Sequence, residues 1–211
     1  MLIQVDVDST LYDANKLFYQ VATEEFGIAW PKKYWSWFGP EDIGTDLATL
    51  KNVFRKCHSR DYVLQQKPYP HAANVLQGIA EDYPEAEIAY VSDRNEQQTS
   101  ALKDWLEENG FIYNDDTFVQ ATKDKRHWMR ERKPEIVIDD RVRTMLMARN
   151  ELNAYVVSLE HPHNMNLKNE VEHIYIVDDW NDIDAVLRDI VIPKVQEKAV
   201  SFSKQRHYAK V

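Results

Sequence analysis

The sequence predicts a doubly wound, Rossmann-like parallel α/β sheet of about five strands, with a small helical cap inserted after the first strand. Three observations predict it: short apolar runs recur along the chain, helical patterns lie between most of them, and acids or hydroxyls close several of them. Short continuous apolar runs suit strands buried on both faces, as in a parallel sheet covered by helices. The intervening helices supply the crossovers that parallel strands need.

The five runs are Leu2–Val5, Ile88–Val91, Ile136–Ile138, Tyr155–Leu159 and Ile174–Val177. The interval from about Asp13 to Pro70 breaks the alternation. It places Leu17, Val21 and Phe26, then Leu47, Leu50, Val53 and Phe54, at helical spacing, and shows no convincing strand. An aromatic group, Trp30, Tyr34, Trp35, Trp37 and Phe38, precedes Gly39-Pro40. This interval, about 13–70, is read as the cap, with Pro68-Tyr69-Pro70 as its hinge. A helix after Ser92-Asp93-Arg94-Asn95 carries Leu102, Trp105 and Leu106 on one face and stops at Asn109-Gly110. Another follows Arg141, and Asp178-Asp179 caps a third over Asn181–Arg188. The core is expected over residues 1–190. Residues 191–211 read as a helix end and a basic tail, where Lys194, Lys198, Lys204, Arg206 and Lys210 outnumber the single acid Glu197.

At 211 residues and 44% hydrophobic content, the chain can bury a good core as one domain with an insertion. A net charge of −9 argues against a surface built to grip long nucleic acid. Cys57 is the one cysteine, so no internal disulfide forms, which suits a reducing cytoplasm. No apolar stretch approaches a membrane span, and the N-terminus enters the first strand without a signal-peptide pattern. A cytoplasmic protein with no membrane partner is expected, its oligomeric state unknown.

Ligands of open α/β sheets sit outside the carboxyl ends of the strands. There the first run leads into Asp6-Val7-Asp8-Ser9-Thr10, the second into Ser92-Asp93-Arg94, and the third into Asp139-Asp140-Arg141. Residues two apart on a strand face one side, so Asp6 and Asp8 can aim at one point. Two carboxylates there repel by roughly 4 kcal/mol at about 4 Å. A cation, a shared proton or a catalytic task offsets such a cost. Four acids and a hydroxyl converging on one crevice call for a metal.

These residues resemble the four motifs of the haloacid dehalogenase superfamily of phosphohydrolases, in order from Met1 to about Leu187. The resemblance implies a magnesium-dependent phosphatase. Asp6 would attack phosphorus to form an aspartyl-phosphate, and Asp8, its pKa raised by neighbouring acids, would move the proton. Mg²⁺ would be held by Asp6, the Asp8 backbone carbonyl and Asp139 or Asp140. Ser92 would donate to a phosphate oxygen, and a lysine of Thr122-Lys123-Asp124-Lys125 would add a point charge. Lys125 is favoured and Lys123 is the alternative, both at the start of a helix that reaches back to the carboxyl edge. Ser9, which stands where glycine is frequent in the superfamily, joins Thr10, Asp93, Arg94 and Arg141 as expected substrate contacts. Arg141 reads equally as a partner for a neighbouring acid.

Thr122-Lys123-Asp124-Lys125, Ile138-Asp139-Asp140-Arg141 and Val177-Asp178-Asp179-Trp180-Asn181-Asp182-Ile183 are similar to 5′(3′)-deoxyribonucleotidases. That implies a nucleoside monophosphate as the small phosphorylated substrate, with one or two cap aromatics stacking on the base for about 1–3 kcal/mol. Ser92-Asp93-Arg94 followed by Thr99 and Trp105-Leu106 also resembles the phosphatase half of phage polynucleotide kinases. A polynucleotide 3′-phosphatase acting on strand ends is therefore the alternative, although it wants a basic track. A non-catalytic phosphate-binding protein is the remaining one, and it needs a missing nucleophile. His161-Pro162-His163 is read as a surface turn, since one loop pair lacks further ligands at metal-binding spacing.

Overall fold

A computed structural model describes residues 1–30, 43–94, 96–112, 118–120, 124–168 and 170–199, and in it six parallel strands form one sheet. They are β1 (Leu2–Val5), β2 (Glu87–Ser92), β3 (Phe118–Gln120), β4 (Ile136–Ile138), β5 (Tyr155–Leu159) and β6 (Ile174–Val177), in the order β3-β2-β1-β4-β5-β6. Five coincide with the apolar runs. The sixth, β3, is a three-residue edge strand paired Tyr90 to Phe118, Val91 to Val119 and Ser92 to Gln120. Three residues carry too little pattern to announce a strand, and pairing with β2 decides it.

Helices accompany the strands: α1 (Ala14–Phe26), α2 (Leu47–Cys57), α3 (Arg60–Val63), α4 (Ala72–Asp82), α5 (Glu96–Glu108), α6 (Lys125–Arg132), α7 (Val142–Leu152) and α8 (Trp180–Val186). Their ends follow local chemistry. Asp13, Asp46, Asp124 and Asp179 each cap a helix by accepting a backbone N–H one turn in. Gly27, at φ 65°, closes α1 in the left-handed conformation that glycine adopts without cost.

Strand alternation sorts the core into two layers. Ile3, Val5, Ile88, Tyr90, Ile136, Ile138 and Val157 pack with α4, α5 and α8. Val137 and Val156 instead meet Met129 of α6 and Met145 and Ala148 of α7. Asp6, four residues beyond Leu2 and two beyond Gln4, is aimed at the α6 layer, where Lys125 stands. Beyond α8 the chain passes through π-helical Leu187–Val191 and stays helical to residue 199. Val191, Ile192 and Val195 of that stretch are buried in the larger cluster, so the last described helix is core packing. Lys204, Arg206 and Lys210 of the basic tail lie outside the described residues, as do Tyr34, Trp35, Trp37 and Phe38 of the aromatic group and Lys123.

α1, α2 and α3 occupy the interval between β1 and α4. The chain leaves toward them and returns along one path: Tyr12 bridges Pro68 in antiparallel fashion, and the Tyr69 N–H donates to the Leu11 carbonyl at 2.7 Å. The Pro68-Tyr69-Pro70 segment is therefore tied to the outgoing chain just past the acids of β1. In the sheet, β1 lies between β2 and β4, and the chain order reverses between β1 and β4. The crevice of an open parallel sheet forms at such a reversal.

Candidate active site

Asp6 follows β1, and Asp139 and Asp140 follow β4, so these acids flank the reversal point. The Asp6 N–H donates to the Ile138 carbonyl at 2.8 Å, extending the ladder up to the acids themselves. All three are buried, and one ligand oxygen from each lies within 4.8 Å of the others. Lys125, the first residue of α6 and also buried, pairs with Asp6 and with Asp139, its Nζ lying 3.1 Å from Asp139 Oδ2. The Arg141 N–H donates to Asp139 Oδ1 at 2.9 Å. Of the acids expected to converge, the structure brings Asp6, Asp139 and Asp140 together around Lys125.

Three carboxylates face the one ammonium of Lys125 in this cluster, which leaves two negative charges without a paired cation. Burial pushes the Asp6 carboxyl well up, with Lys125 opposing and Asp139 and Asp140 adding to the rise. Asp139 is raised as well, again by burial first and against the pull of Lys125. Asp140 goes down: burial opposes, but the nearby His163, His161 and Arg141 together outweigh burial. Lys125 is held protonated, because Asp139 and Asp6 more than offset its desolvation. Three carboxylates supply only hard oxygen donors, the set that suits Mg²⁺, and a divalent cation would offset their remaining charge. The residues fit such an ion.

Asp8 departs from expectation. Its carboxylate does not join the cluster but accepts from Arg94, at 3.2 Å from Nε and 2.5 Å from Nη2, and from the Tyr12 hydroxyl. Arg94 also donates to the Tyr12 hydroxyl. Burial alone would raise the Asp8 carboxyl, yet the Arg94 charge and these hydrogen bonds hold it well below the usual carboxylate range. The expected raised pKa is thus corrected: the nearest strong charge to Asp8 is a guanidinium, not another acid. Asp6 and Asp8 nonetheless part, Asp6 meeting Lys125 and Asp8 meeting Arg94, and the chain turns just after Asp8, at Ser9, whose φ is 62°. That left-handed geometry explains why glycine would also suit the position.

The remaining expected residues are present in varied settings. Ser92 is buried at the end of β2, its Oγ 3.4 Å from the Arg94 backbone N–H. Arg141 pairs with Asp93, so the reading of Arg141 as a partner for a neighbouring acid describes this structure. The Ser9 and Thr10 hydroxyls are buried beside the acids without a hydrogen-bond partner among the described residues.

Three groups escaped the sequence reading. Arg94 as the keeper of Asp8 is one. The second is His161-Pro162-His163, which is no free surface turn: His161 Nε2 lies 2.9 Å from the Ser9 carbonyl, and His163 Nε2 lies 3.0 Å from the Asp140 carbonyl. The third is His58, which follows α2 and packs edge-on against Phe18 with ring centroids 5.5 Å apart. Trp30, by contrast, is buried against Phe18 and is packing rather than an open stacking face.

Burial, with the positive charge of Arg94 added, pushes the His58 imidazole down to about 4. A histidine depressed in the folded state leaves stability intact above its unfolded pKa. As pH falls from about 6.5 to about 4, the unfolded chain takes up a proton that the folded one refuses, and stability is lost. Urea unfolding at pH 7 and pH 4.5 should show wild type losing about 1–3 kcal/mol more than His58→Phe over this interval. Equal losses would remove His58 from that account.

No protein-family model matches the sequence, and no curated protein matches it. The comparison with solved structures instead shows the fold, that of haloacid dehalogenase-type hydrolases. The chain is similar in structure to a haloacid dehalogenase family hydrolase of Deinococcus radiodurans, solved with phosphate and sodium, at TM-score 0.59 and 13% identity, covering 89% of this chain and 95% of that one. It is similar to a predicted phosphoglycolate phosphatase of Haemophilus somnus at TM-score 0.57 and 14% identity, covering 89% and 97%. It is also similar to CbbY of Rhodobacter sphaeroides in complex with xylulose-1,5-bisphosphate, at TM-score 0.51 and 12% identity, covering 84% and 93%.

Proposed function

We propose that the protein is a magnesium-dependent phosphomonoester hydrolase that works through an aspartyl-phosphate on Asp6. The observation that carries this reading is the buried association of Asp6, Asp139, Asp140 and Lys125 at the reversal point of the sheet. Asp6, Asp139, Asp140 and the Asp8 carbonyl would hold Mg²⁺, which when bound supplies charge stabilisation to the phosphoryl oxygens. An Asp6 oxygen attacks phosphorus as the bond to the leaving oxygen breaks, and Asp8 gives that oxygen a proton. Water then attacks phosphorus, Asp8 takes up its proton, and inorganic phosphate leaves with Asp6 restored. Lys125 and Ser92 hold the phosphoryl oxygens through both steps.

Asp8 must carry a proton for the first step, so the Arg94–Asp8 pair has to open when substrate enters. The anionic substrate, competing for the guanidinium, provides the reason for it to open. Helices α1–α3 serve as the cap in this reading, and they bring His58 within electrostatic reach of Asp8 and Arg94. The substrate is a nucleoside monophosphate, supported by the deoxyribonucleotidase-like motifs. A cytoplasmic location is supported by the lone, buried Cys57. Among the described residues, no helix is long and apolar enough to cross a membrane.

Activity on p-nitrophenyl phosphate should require Mg²⁺ and disappear with EDTA. A panel of nucleoside monophosphates, phosphoglycolate, sugar phosphates and 3′-phosphorylated oligonucleotides then tests the substrate. Nucleoside monophosphates should give kcat/KM values at least about tenfold above the others, a margin of about 1.4 kcal/mol. A preference for sugar phosphates would leave the phosphatase standing and remove the nucleotide. The Ser92-Asp93-Arg94 motif favours the strand-end alternative, and that outcome would show as steeply salt-dependent activity on the oligonucleotide.

A further inference from the structure

Three successive carbonyls of the turn after Asp8 are held from outside it. The Ser9 carbonyl accepts from His161 at 2.9 Å, the Thr10 carbonyl from Trp180 Nε1 at 3.1 Å, and the Leu11 carbonyl from the Tyr69 N–H at 2.7 Å. The contact to Ser9 is the one nearest Asp8, and it fixes a residue that sits in the left-handed region. Two residues further along the same loop, His163 reaches the second arm of the cluster. Its Nε2 lies 3.0 Å from the Asp140 carbonyl and 3.1 Å from Asp140 Oδ2, with the hydrogen bond directed to the carbonyl.

The loop that carries the two histidines is itself rigid. Asn164, fully buried, donates to the Asp140 carbonyl at 3.3 Å, to Ser158 Oγ at 3.0 Å and to the Leu159 carbonyl at 2.9 Å. Its Oδ1 accepts the His161 N–H at 2.8 Å. The two imidazoles stack with centroids 5.4 Å apart and planes 8° from parallel. For each ring to donate to a carbonyl, its hydrogen must sit on Nε2. One loop thus grips the backbone beside Asp8 and the backbone of Asp140, two segments that belong to different strands.

We propose that His161 and His163 are positioning residues that set the spacing between the Asp8–Ser9 turn and Asp140, and so set the affinity of the site for a divalent cation. The proposal rests on the cation-site reading above. Neither ring touches substrate. Their effect runs through the oxygens they orient, and losing such an outer partner costs a metal site about 10- to 100-fold in affinity or activity.

The test is Mn²⁺ binding to the full chain, followed by electron paramagnetic resonance of the free ion, with kcat and KM on p-nitrophenyl phosphate alongside. His163→Leu should weaken Mn²⁺ binding by about 10- to 100-fold and lower kcat while leaving KM within about threefold. His163→Gln, whose amide can still donate to the carbonyl, should return both to within about threefold of wild type. His161→Leu should act in the same direction. If His163→Leu does not fold, His163→Asn, polar but too short to reach the carbonyl, takes its place with the same expectation. Mn²⁺ affinity within twofold of wild type in the folded Leu or Asn variant would overturn the proposal, as would a loss that glutamine fails to rescue. Failure of the wild-type protein to bind Mn²⁺ at millimolar concentration would overturn the cation-site reading itself. Wild-type binding with unaffected histidine variants would overturn only the role given to the loop.

Discussion

Asp6→Asn is expected to lower turnover by at least about 10⁴-fold and, without divalent cation, to raise the melting temperature. The two effects have one cause. Burial pushes the Asp6 carboxyl well above its ordinary value, and Asp139 and Asp140 add to the rise, so the folded chain without a cation holds this group at a cost. Asparagine is nearly isosteric and uncharged, and its Oδ1 can still accept from Lys125. It relieves the repulsion and removes the nucleophile together. Strain kept at a site and released by an inactivating change is a mark of function rather than of scaffolding. Adding Mg²⁺ should reverse the order of melting temperatures. A ligand present at about 100 times its Kd stabilises by about 2.7 kcal/mol, and the variant, one carboxylate short, gains less. Thermal unfolding of both proteins with EDTA and with Mg²⁺ reads this crossing. Robust turnover by Asp6→Asn would sink the aspartyl-phosphate, and a variant less stable than wild type in EDTA would sink the electrostatic account.

What the sequence made legible depended on how local the cause was. Leu2–Val5 and Ile136–Ile138 announce themselves because strands buried on both faces must be apolar throughout, and the acids after them stand out against that background. A helix start fixes which edge of the sheet Lys123 and Lys125 can reach, and only the resemblance of Thr122-Lys123-Asp124-Lys125 to deoxyribonucleotidases chooses Lys125 between them. Strand β3 was not legible, since three residues carry no period and Phe118–Gln120 becomes a strand by pairing with β2. Asp8 misled for a related reason. The two-residue spacing says which way a side chain starts and not which partner it meets, and Arg94, 86 residues away in the chain, claims Asp8. His163 and Asp140 are separated by 23 residues and meet only because β4 and β5 are neighbours in the sheet. A strand order read correctly would have brought the His161-Pro162-His163 loop to the acids.

Lys125→Met should cost about 3–5 kcal/mol of stability at pH 8 in EDTA, the range for breaking a buried ion pair from one side. Methionine matches the length and apolar volume of the lysine stem, so packing around α6 changes little and the loss reports charge. Three carboxylates with ligand oxygens within 4.8 Å of one another would then share a buried site without their ammonium. They answer by binding protons, which moves the folded-state pKa values of Asp6 and Asp139 further above their unfolded values. A raised carboxyl contributes its stability below the unfolded pKa and loses it as pH climbs through the folded one. The deficit of Lys125→Met relative to wild type should therefore shrink toward pH 5 and widen toward pH 8. Mg²⁺ should narrow it again, since a cation can occupy the charge deficit that the lysine leaves. Activity should still stay about 10²- to 10³-fold down at saturating Mg²⁺, because the point charge aimed at the phosphoryl oxygens is gone. Lys125→Arg should not restore it, as a planar guanidinium does not fit where a compact ammonium sits 3% exposed between two acids. Urea unfolding at pH 5 and pH 8, each with EDTA and with Mg²⁺, separates these claims. A deficit that is constant with pH and blind to Mg²⁺ would mean that Lys125 serves the packing of α6 and not the charge of the site.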